Sequence, residues 1–505
     1  MANTLSAQES LPFPEAPATA PEPESRIGPL SSVVAVCLCG VFAFIDLYAT
    51  QPLLPLFAHL FHASKAAVGL TVSASTLGVA LSAPFFGAFA ERLSRRRVII
   101  WSIVALSVPT LLAATSPNLH ALIFWRFVQG LIMPGIFAIT IAYIGEEWPA
   151  QSVALVMSVY ISGTALGGFT GRIISGFAAS RLSWHWGFVF LGLLTLAGSI
   201  AVARWLPQEK RSFFAHADAG WRAQLLPMLG HLRNPRLIAT FAVGFNILFS
   251  LVGIFTYITF YLADPPFHLS TEALSYLFVV YLVGLIVTPA AGYMVGHVGL
   301  RVGIAGAILL SLLGVLITLA HSLTWVVGGL TLLCTGVFIS QAMATSYLRE
   351  AAPAGGRVSA AGLYLSFYYI GGTVAGVVPS YLWAIGKWPA CVAFIAVLQV
   401  VTLVIALVGW RTRLAGASRQ SAFGLDFDID VDERERCGSD AWDATCLSDS
   451  LRTDTRELLL HLAGETADVG IIEPSGNGPL FGFLELVDGF LLLIKIAGIF
   501  DLGFD

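Results

Sequence analysis

The sequence predicts an all-α membrane protein with 12 transmembrane helices in two pseudo-symmetric six-helix bundles. Three observations point there. Of 505 residues, 56% are hydrophobic and 11% charged, with a mean hydropathy of +0.80; soluble domains carry about 25% charged residues. Apolar runs of bilayer-spanning length, roughly 20 residues, recur 12 times, six on each side of one long basic connection. Landmarks of the first half also return in the second at nearly constant spacing.

The first 29 residues are rich in Pro, Ala and Glu and lack both a basic start and an apolar core. They are expected to form a disordered cytoplasmic tail and not a cleaved leader. Apolar runs then fall at about 32–57, 68–90, 98–116, 120–143, 153–178 and 185–206, and again at about 237–262, 273–296, 302–320, 324–347, 358–382 and 389–410. The first six make an amino-terminal bundle, 30–206, and the rest a carboxy-terminal bundle, 237–412. Between them, 207–236 carries Lys210, Arg211, Arg222, Arg233 and Arg236 and is expected to be a cytoplasmic loop.

Residues 413–505 form an acidic extension to which the sequence assigns no role. From 415 onward it holds 6 basic and 18 acidic residues, against 21 and 13 before it. Its Asp426–Asp432 stretch alternates acid and apolar residues, but Val431 and Cys437 stand where a calcium loop needs Gly and Glu. Leu480–Phe500 is apolar yet holds Glu485, Asp488 and Lys495, so an interfacial or poorly ordered segment is expected there instead of a further span. Cys37, Cys39, Cys334 and Cys391 lie in apolar runs as small hydrophobes, and Cys437 and Cys446 lack metal-ligand spacing.

Gly87 to Arg97 fixes the predicted orientation. Arg92, Arg95, Arg96 and Arg97 cannot rest in hydrocarbon, and short basic loops stay on the cytoplasmic side. The opposite loops hold Lys65, Arg181 and Lys387, which predicts both termini inside. The basic loop returns as Gly292–Arg301, with Gly87 matched by Gly292 and Arg96 by Arg301. Tyr143 to Pro149 and Tyr347 to Pro353 share Y-x-x-E-x-x-P at an offset of 204, and Tyr160 to Thr164 matches Tyr369 to Thr373 at an offset of 209. Such repeats predict two similar bundles about an axis along the membrane normal, with a substrate site between them.

Over about residues 30–412 these motifs resemble those of the major facilitator superfamily. The Gly87–Arg97 loop is similar to the family's G-x-x-x-D-R-x-G-R-R signature, with Glu91 for Asp and Ser94 for the second Gly. Leu122 to Gly130 resembles the fourth-helix signature, Arg126 followed by Gln129-Gly130. Gly163 to Gly168 resembles the fifth-helix signature of efflux members, without the Pro after its second Gly. Asp46 to Pro55 most resembles the arabinose-efflux-permease-like and acriflavine-sensitivity branch of drug:proton antiporters. The resemblance implies the major facilitator fold and a part for Arg126 in proton coupling. It also implies a cytoplasmic gate built from Gly87, Glu91, Arg92, Arg95, Arg96, Glu146 and Glu350, with a solvated basic flank as the plainer reading.

Buried charge supplies the remaining candidates. Asp46 lies midway along the first span, where a carboxylate is costly to ionise. It reads as a coupling-proton site, a handle for a cationic substrate, or a packing carboxylate satisfied by hydroxyls. Arg126 stays charged and needs a counter-charge, a carbonyl or water; Asp46 is its natural partner, whether for proton coupling or as a structural tie. Arg172, toward the outer end of the fifth span, is expected to snorkel to the surface, with an anionic ligand as the alternative. Gly163, Gly167, Gly168 and Gly171 precede it at small-x-x-x-small spacing and are expected to pack helices. Further substrate-cavity candidates are Tyr48, Gln51 and Gln129 in the first half. The central helices that the resemblance implies add Asn246, Phe249, Tyr257, Ser340 and Gln341 in the second. An aromatic cavity of this kind suits an amphipathic drug-like molecule better than a sugar.

The functional expectation is a secondary active transporter of the inner or plasma membrane, working by alternating access and exporting a drug-like compound or sugar against protons. An uptake symporter, a uniporter and a sensor that binds without moving its ligand stay open beside it. The sequence has no G-x-x-x-x-G-K-[ST] stretch and no metal or nucleophile constellation. No enzyme activity and no cofactor are therefore expected, the proton gradient being the driving force. Expected partners are a small-molecule substrate, protons and the lipid bilayer, with no nucleic acid and a monomeric assembly.

Overall fold

The computed structural model describes residues 30–89, 94–209, 228, 230–353 and 356–410. The chain divides into two units, Met1–Arg411 and Thr412–Asp505, and every helix below belongs to the first. The amino-terminal tail, most of the inter-bundle loop, and the acidic extension with its Asp426–Asp432 and Leu480–Phe500 stretches lie outside the described residues.

After a broken first span, the first half continues as Lys65–Phe89, Arg95–Ala113, Leu119–Ile132 with Pro134–Glu147, Ala150–Arg181 and Trp184–Trp205. The second half runs Pro235–Ala263, Thr271–Tyr276 with Leu277–Val283 and Gly284–Val298, Leu300–Ile317, Leu323–Ala351, Arg357–Ala375 and Pro379–Gly409. Polar side chains start several of them. Ser94, Asn118 and Ser270 accept from the N–H groups of Arg97, Ala121 and Ala273 at 3.4, 2.9 and 3.2 Å, satisfying donors that a helix start leaves open.

Ten of the described helical stretches are long and apolar enough to cross a bilayer, where the sequence predicts 12 crossings. The difference lies in the first and eleventh spans. In the first, Leu30–Phe44 gives way to turns, a 3-10 stretch at Gln51–Leu53 and a second helix, Leu54–Leu60. Pro52 and Pro55 cause this, since neither has an N–H to donate one helical turn back. The N–H groups of Leu47, Ala49, Gln51 and Leu53 turn instead to the carbonyls three residues earlier. The eleventh crossing, Arg357–Ala375, is diluted by Tyr, Ser and Gly and runs on into Pro379–Gly409. That helix is two arms of a hairpin. Its backbone leaves helical geometry at Gly386 and Lys387, and the Cys391 thiol meets the Pro379 carbonyl at 3.3 Å. In a straight helix about 18 Å would separate them.

The sequence repeat is also a repeat of contacts. Arg96, opening the third span, donates to the Leu206 carbonyl at 2.8 Å and to that of Ala203, at the end of the sixth. Its counterpart Arg301, opening the ninth, donates to the Leu407 carbonyl at the end of the twelfth. Each arginine satisfies carbonyls that a helix end leaves unpaired and sits at its negative pole. Glycines bring the first and fifth spans together: Gly163, Gly167 and Gly171 lie against the main chain of Cys37, Val41 and Ile45, where a Cβ would collide. Gly371 meets Phe245 in the same way, joining the eleventh span to the seventh.

The two halves meet along a seam at the end opposite the basic loops. Ser73 donates to the Thr373 carbonyl at 2.6 Å, and the Thr76 and Thr373 hydroxyls are 3.1 Å apart. Lys65 pairs with Asp264 at 3.9 Å and lies over the Phe260 ring, while Ser180 and Arg181 both reach Glu272, at 3.0 and 3.3 Å. Gly69 faces the Gly376 carbonyl so closely that no side chain fits between them. Replacing Gly69 with Ala should therefore disfavour this closed seam. We expect a cysteine at Ser73, in a chain stripped of its native cysteines, to react several-fold faster with an impermeant maleimide applied from the Lys65 end. Equal rates would show that the seam absorbs the methyl group.

Candidate functional site

Two fully buried arginines organise the interior of the first half. Arg126 stands on the fourth span, and its fork fits the break in the first. Its Nε donates to the Thr71 carbonyl at 3.1 Å and its Nη1 to the Asp46 carbonyl at 2.6 Å and to Gln129 Oε1 at 2.5 Å. Its Nη2 donates to Ser75 Oγ at 3.1 Å and to the Leu47 carbonyl. Gln129 passes the network on, donating to Thr110 Oγ1 at 2.8 Å. The expected pairing of Arg126 with the Asp46 carboxylate is thus replaced by a bond to the Asp46 main chain. The broken helix turns the Asp46 and Leu47 carbonyls toward Arg126, although Ala49 and Ser75 donate to them as well.

The Asp46 side chain is fully buried, and neither carboxylate oxygen has a hydrogen-bond partner. The buried hydroxyls of Thr110 and Thr195 neighbour it and act on its charge. A polar group held out of water with so few partners is expensive, and those two hydroxyls are the ones a packing role would use.

Arg172 does not snorkel. It is fully buried, and the reason is lateral: the fifth span faces the other half, so the guanidinium points into the seam and away from lipid. Its Nε and Nη2 both donate to Gln51 Oε1, at 2.9 and 2.8 Å, and its Nη1 donates to the Gly168 carbonyl at 2.7 Å. Three rings surround it, with Cζ 4.9 Å from the centre of Tyr48, 4.6 Å from Phe278 and 4.4 Å from Tyr281. Gln51 also spans the halves, its Nε2 lying 3.4 Å from Thr256 Oγ1. Gly168 differs from the packing glycines, because a Cβ there would approach only Arg172.

The other candidates separate by where they point. Gln341 is half-buried and accepts from the Tyr364 hydroxyl at 3.0 Å. Asn246 and Ser340 turn into the second half itself, lining with Gln399 and Ser311 a cavity of about 20 Å³, room for about one water. Phe249 packs on Phe394 of the twelfth span, and the Tyr257 hydroxyl donates to the Gly376 carbonyl at 2.9 Å. At the basic end, Arg95 pairs with Glu146 and Arg96 binds carbonyls, both within the first half. Glu350 is exposed, Gly87 lies in Lys65–Phe89, and Glu91 and Arg92 lie outside the described residues.

Sequence reasoning did not single out Thr71, Ser75, Phe278 or Tyr281. Ser75 accepts through its hydroxyl, whereas Thr71 accepts through its main-chain carbonyl, which no side-chain pattern marks. Phe278 and Tyr281 sit in the 3-10 segment Leu277–Val283, which no hydrophobic pattern reveals.

Two repeated helical bundles with interrupted spans and buried charge at their seam define a multi-pass membrane transporter. The sequence matches the Major Facilitator Superfamily profile over residues 36–376, and the chain belongs to that superfamily. It is 31% identical over 375 residues to an uncharacterized transporter of Buchnera aphidicola subsp. Schizaphis graminum, covering 74% of this chain and 90% of the relative. It is 29% identical over 392 residues to the inner membrane transport protein YnfM of Escherichia coli, covering 75% and 89%. Its fold is similar to the inward-facing, unoccupied crystal structure of a bacterial homologue of the human lysosomal transporter Spinster. There the TM-score is 0.63 and the identity 15%, over 76% of this chain and 98% of the other.

Replacing Arg126 with Met would strip donors from three main-chain carbonyls, Gln129 and Ser75. We expect a loss of stability on the order of 2–4 kcal/mol, read as a lowered unfolding temperature in detergent. Arg126→Lys should fall between, because an ammonium cannot reproduce the planar fork.

Proposed function

We propose that the chain is a proton-coupled efflux transporter for a small organic molecule, not an enzyme, working by alternating access in the inner membrane. One observation carries the coupling: the Asp46 carboxyl group, fully buried at the break in the first span, with only the Thr110 and Thr195 hydroxyls to attend it and no ion pair among the described residues. A proton on that group removes a charge from a site that cannot solvate it, and its release is tied to rearrangement around Arg126, whose fork holds the adjacent carbonyl. The seam at the Lys65 end supports the reading, since it is closed by hydrogen bonds and ion pairs that a rocking motion would have to break. Basic residues gather at the opposite end, which the reading assigns to the cytoplasm. The inner-membrane name of the YnfM relative supports the location.

The test is pH-gradient quenching in inverted membrane vesicles, challenged with drugs, dyes and sugars. Substrate should release protons from vesicles holding the wild-type chain. Asp46→Asn should insert normally yet release none between about pH 5.5 and 8. Release by the variant equal to wild type would remove Asp46 from the coupling.

A further inference from the structure

Arg172 is held in a way that helix packing alone does not require. Two separate interruptions of helical order converge on it, the 3-10 stretch Gln51–Leu53 of the first span and Leu277–Val283 of the eighth. Discontinuous spans at a bundle seam are where carriers present polar groups to cargo, and a 3-10 stretch within a longer helix often marks a functional hinge. The acceptors that meet Arg172 are neutral: an amide oxygen of Gln51 and the Gly168 carbonyl. The rings of Tyr48, Phe278 and Tyr281 contribute quadrupoles and no charge. No ion pair among the described residues includes it. A guanidinium has five N–H donors, and the hydrogen bonds occupy three.

We propose that Arg172 anchors the anionic head of the substrate, a carboxylate or sulfonate borne on an apolar body of aromatic size. The proposal rests on the reading of the chain as a carrier of small organic molecules and names their class. A carboxylate would supply the counter-charge that the protein withholds, through the charge-assisted bonds for which a guanidinium fork is shaped. Apolar surface for the body lies beside it in Tyr281 and the half-buried Phe338, whose rings are 6.4 Å apart. Gln51 ties occupancy to the seam, because the amide that accepts from Arg172 also reaches Thr256 of the other half. Arg172 as a mere clasp between halves predicts no such preference for charge.

Three probes with one aromatic body separate these readings: 1-naphthoate, 1-naphthamide and 1-naphthylmethylammonium, each titrated against the full-length protein in detergent with thermal unfolding as readout. The carboxylate should bind the wild type at least about tenfold more tightly than the other two. Arg172→Gln should erase the preference and Arg172→Lys should keep part of it. Gln51→Glu keeps the arginine and an acceptor for it but neutralises the charge in place, and should erase the preference even if Arg172→Gln fails to fold. Indifference of the wild type to probe charge, a preference for the ammonium, no response to the carboxylate, or an undiminished preference in Gln51→Glu would each overturn the proposal. This readout needs no gradient. Loss of charge selectivity would leave proton-linked efflux standing, and absence of proton movement in vesicles would leave selective anion binding standing.

Discussion

The amino-terminal bundle is arranged around the cost of keeping Arg126 charged in an apolar interior. A guanidinium cannot shed its proton there, so it must be met by acceptors from several directions at once. Main-chain carbonyls are acceptors at hand in a membrane protein, and Arg126 takes one even inside an intact helix, at Thr71. The first span solves this by ceasing to be a helix after Phe44, which turns the carbonyls of Asp46 and Leu47 toward the fourth span. Thr71 and Ser75 of the second span complete the shell. Three spans are thereby fixed by one side chain, and Asp46 is left buried beside it with its carboxylate unengaged.

The seam between halves follows a different rule. Near the Lys65 end it is held by small residues, hydroxyls and exposed ion pairs, contacts that are individually modest and can be exchanged for water. Deeper in, it is held by aromatic rings, with Phe137 of the fourth span 5.8 Å from Tyr369 of the eleventh and the cage about Arg172 drawn from both halves. Within each half the joints are of another kind. Backbone-to-backbone glycine contacts recur there, as they also do across the seam at Gly69 and Gly376, and arginines cap the helix ends.

The fold class was legible because hydrocarbon thickness imposes a run length that few other structures need, and the twofold repeat because Arg96 and Arg301 perform the same helix-end task. The lateral direction of each side chain was much less legible. Distance from a span's end suggested that Arg172 would reach the surface, yet it is the face of the helix that decides, and in a membrane protein both lipid and core faces are apolar. The same ambiguity hid that Asn246 and Phe249 face the second half itself while the Tyr257 hydroxyl reaches the seam beside Gly69. Tyr48 and Gln51 were hard to place for another reason. Helical spacing separates them from Asp46 by stripe, but Pro52 and Pro55 abolish the helix whose stripe was being counted.

The bare guanidinium at the seam has an electrical consequence. A charge moved across the whole membrane field gains or loses about 2.3 kcal/mol per 100 mV. On the proposed cycle, a shift of Arg172 within that field would make the unloaded carrier reorient as a charged object. With an anion seated on it, the pair is neutral and the same motion is nearly blind to voltage. On the proposed cycle, one residue without a carboxylate would make the loaded and empty strokes answer to different forces.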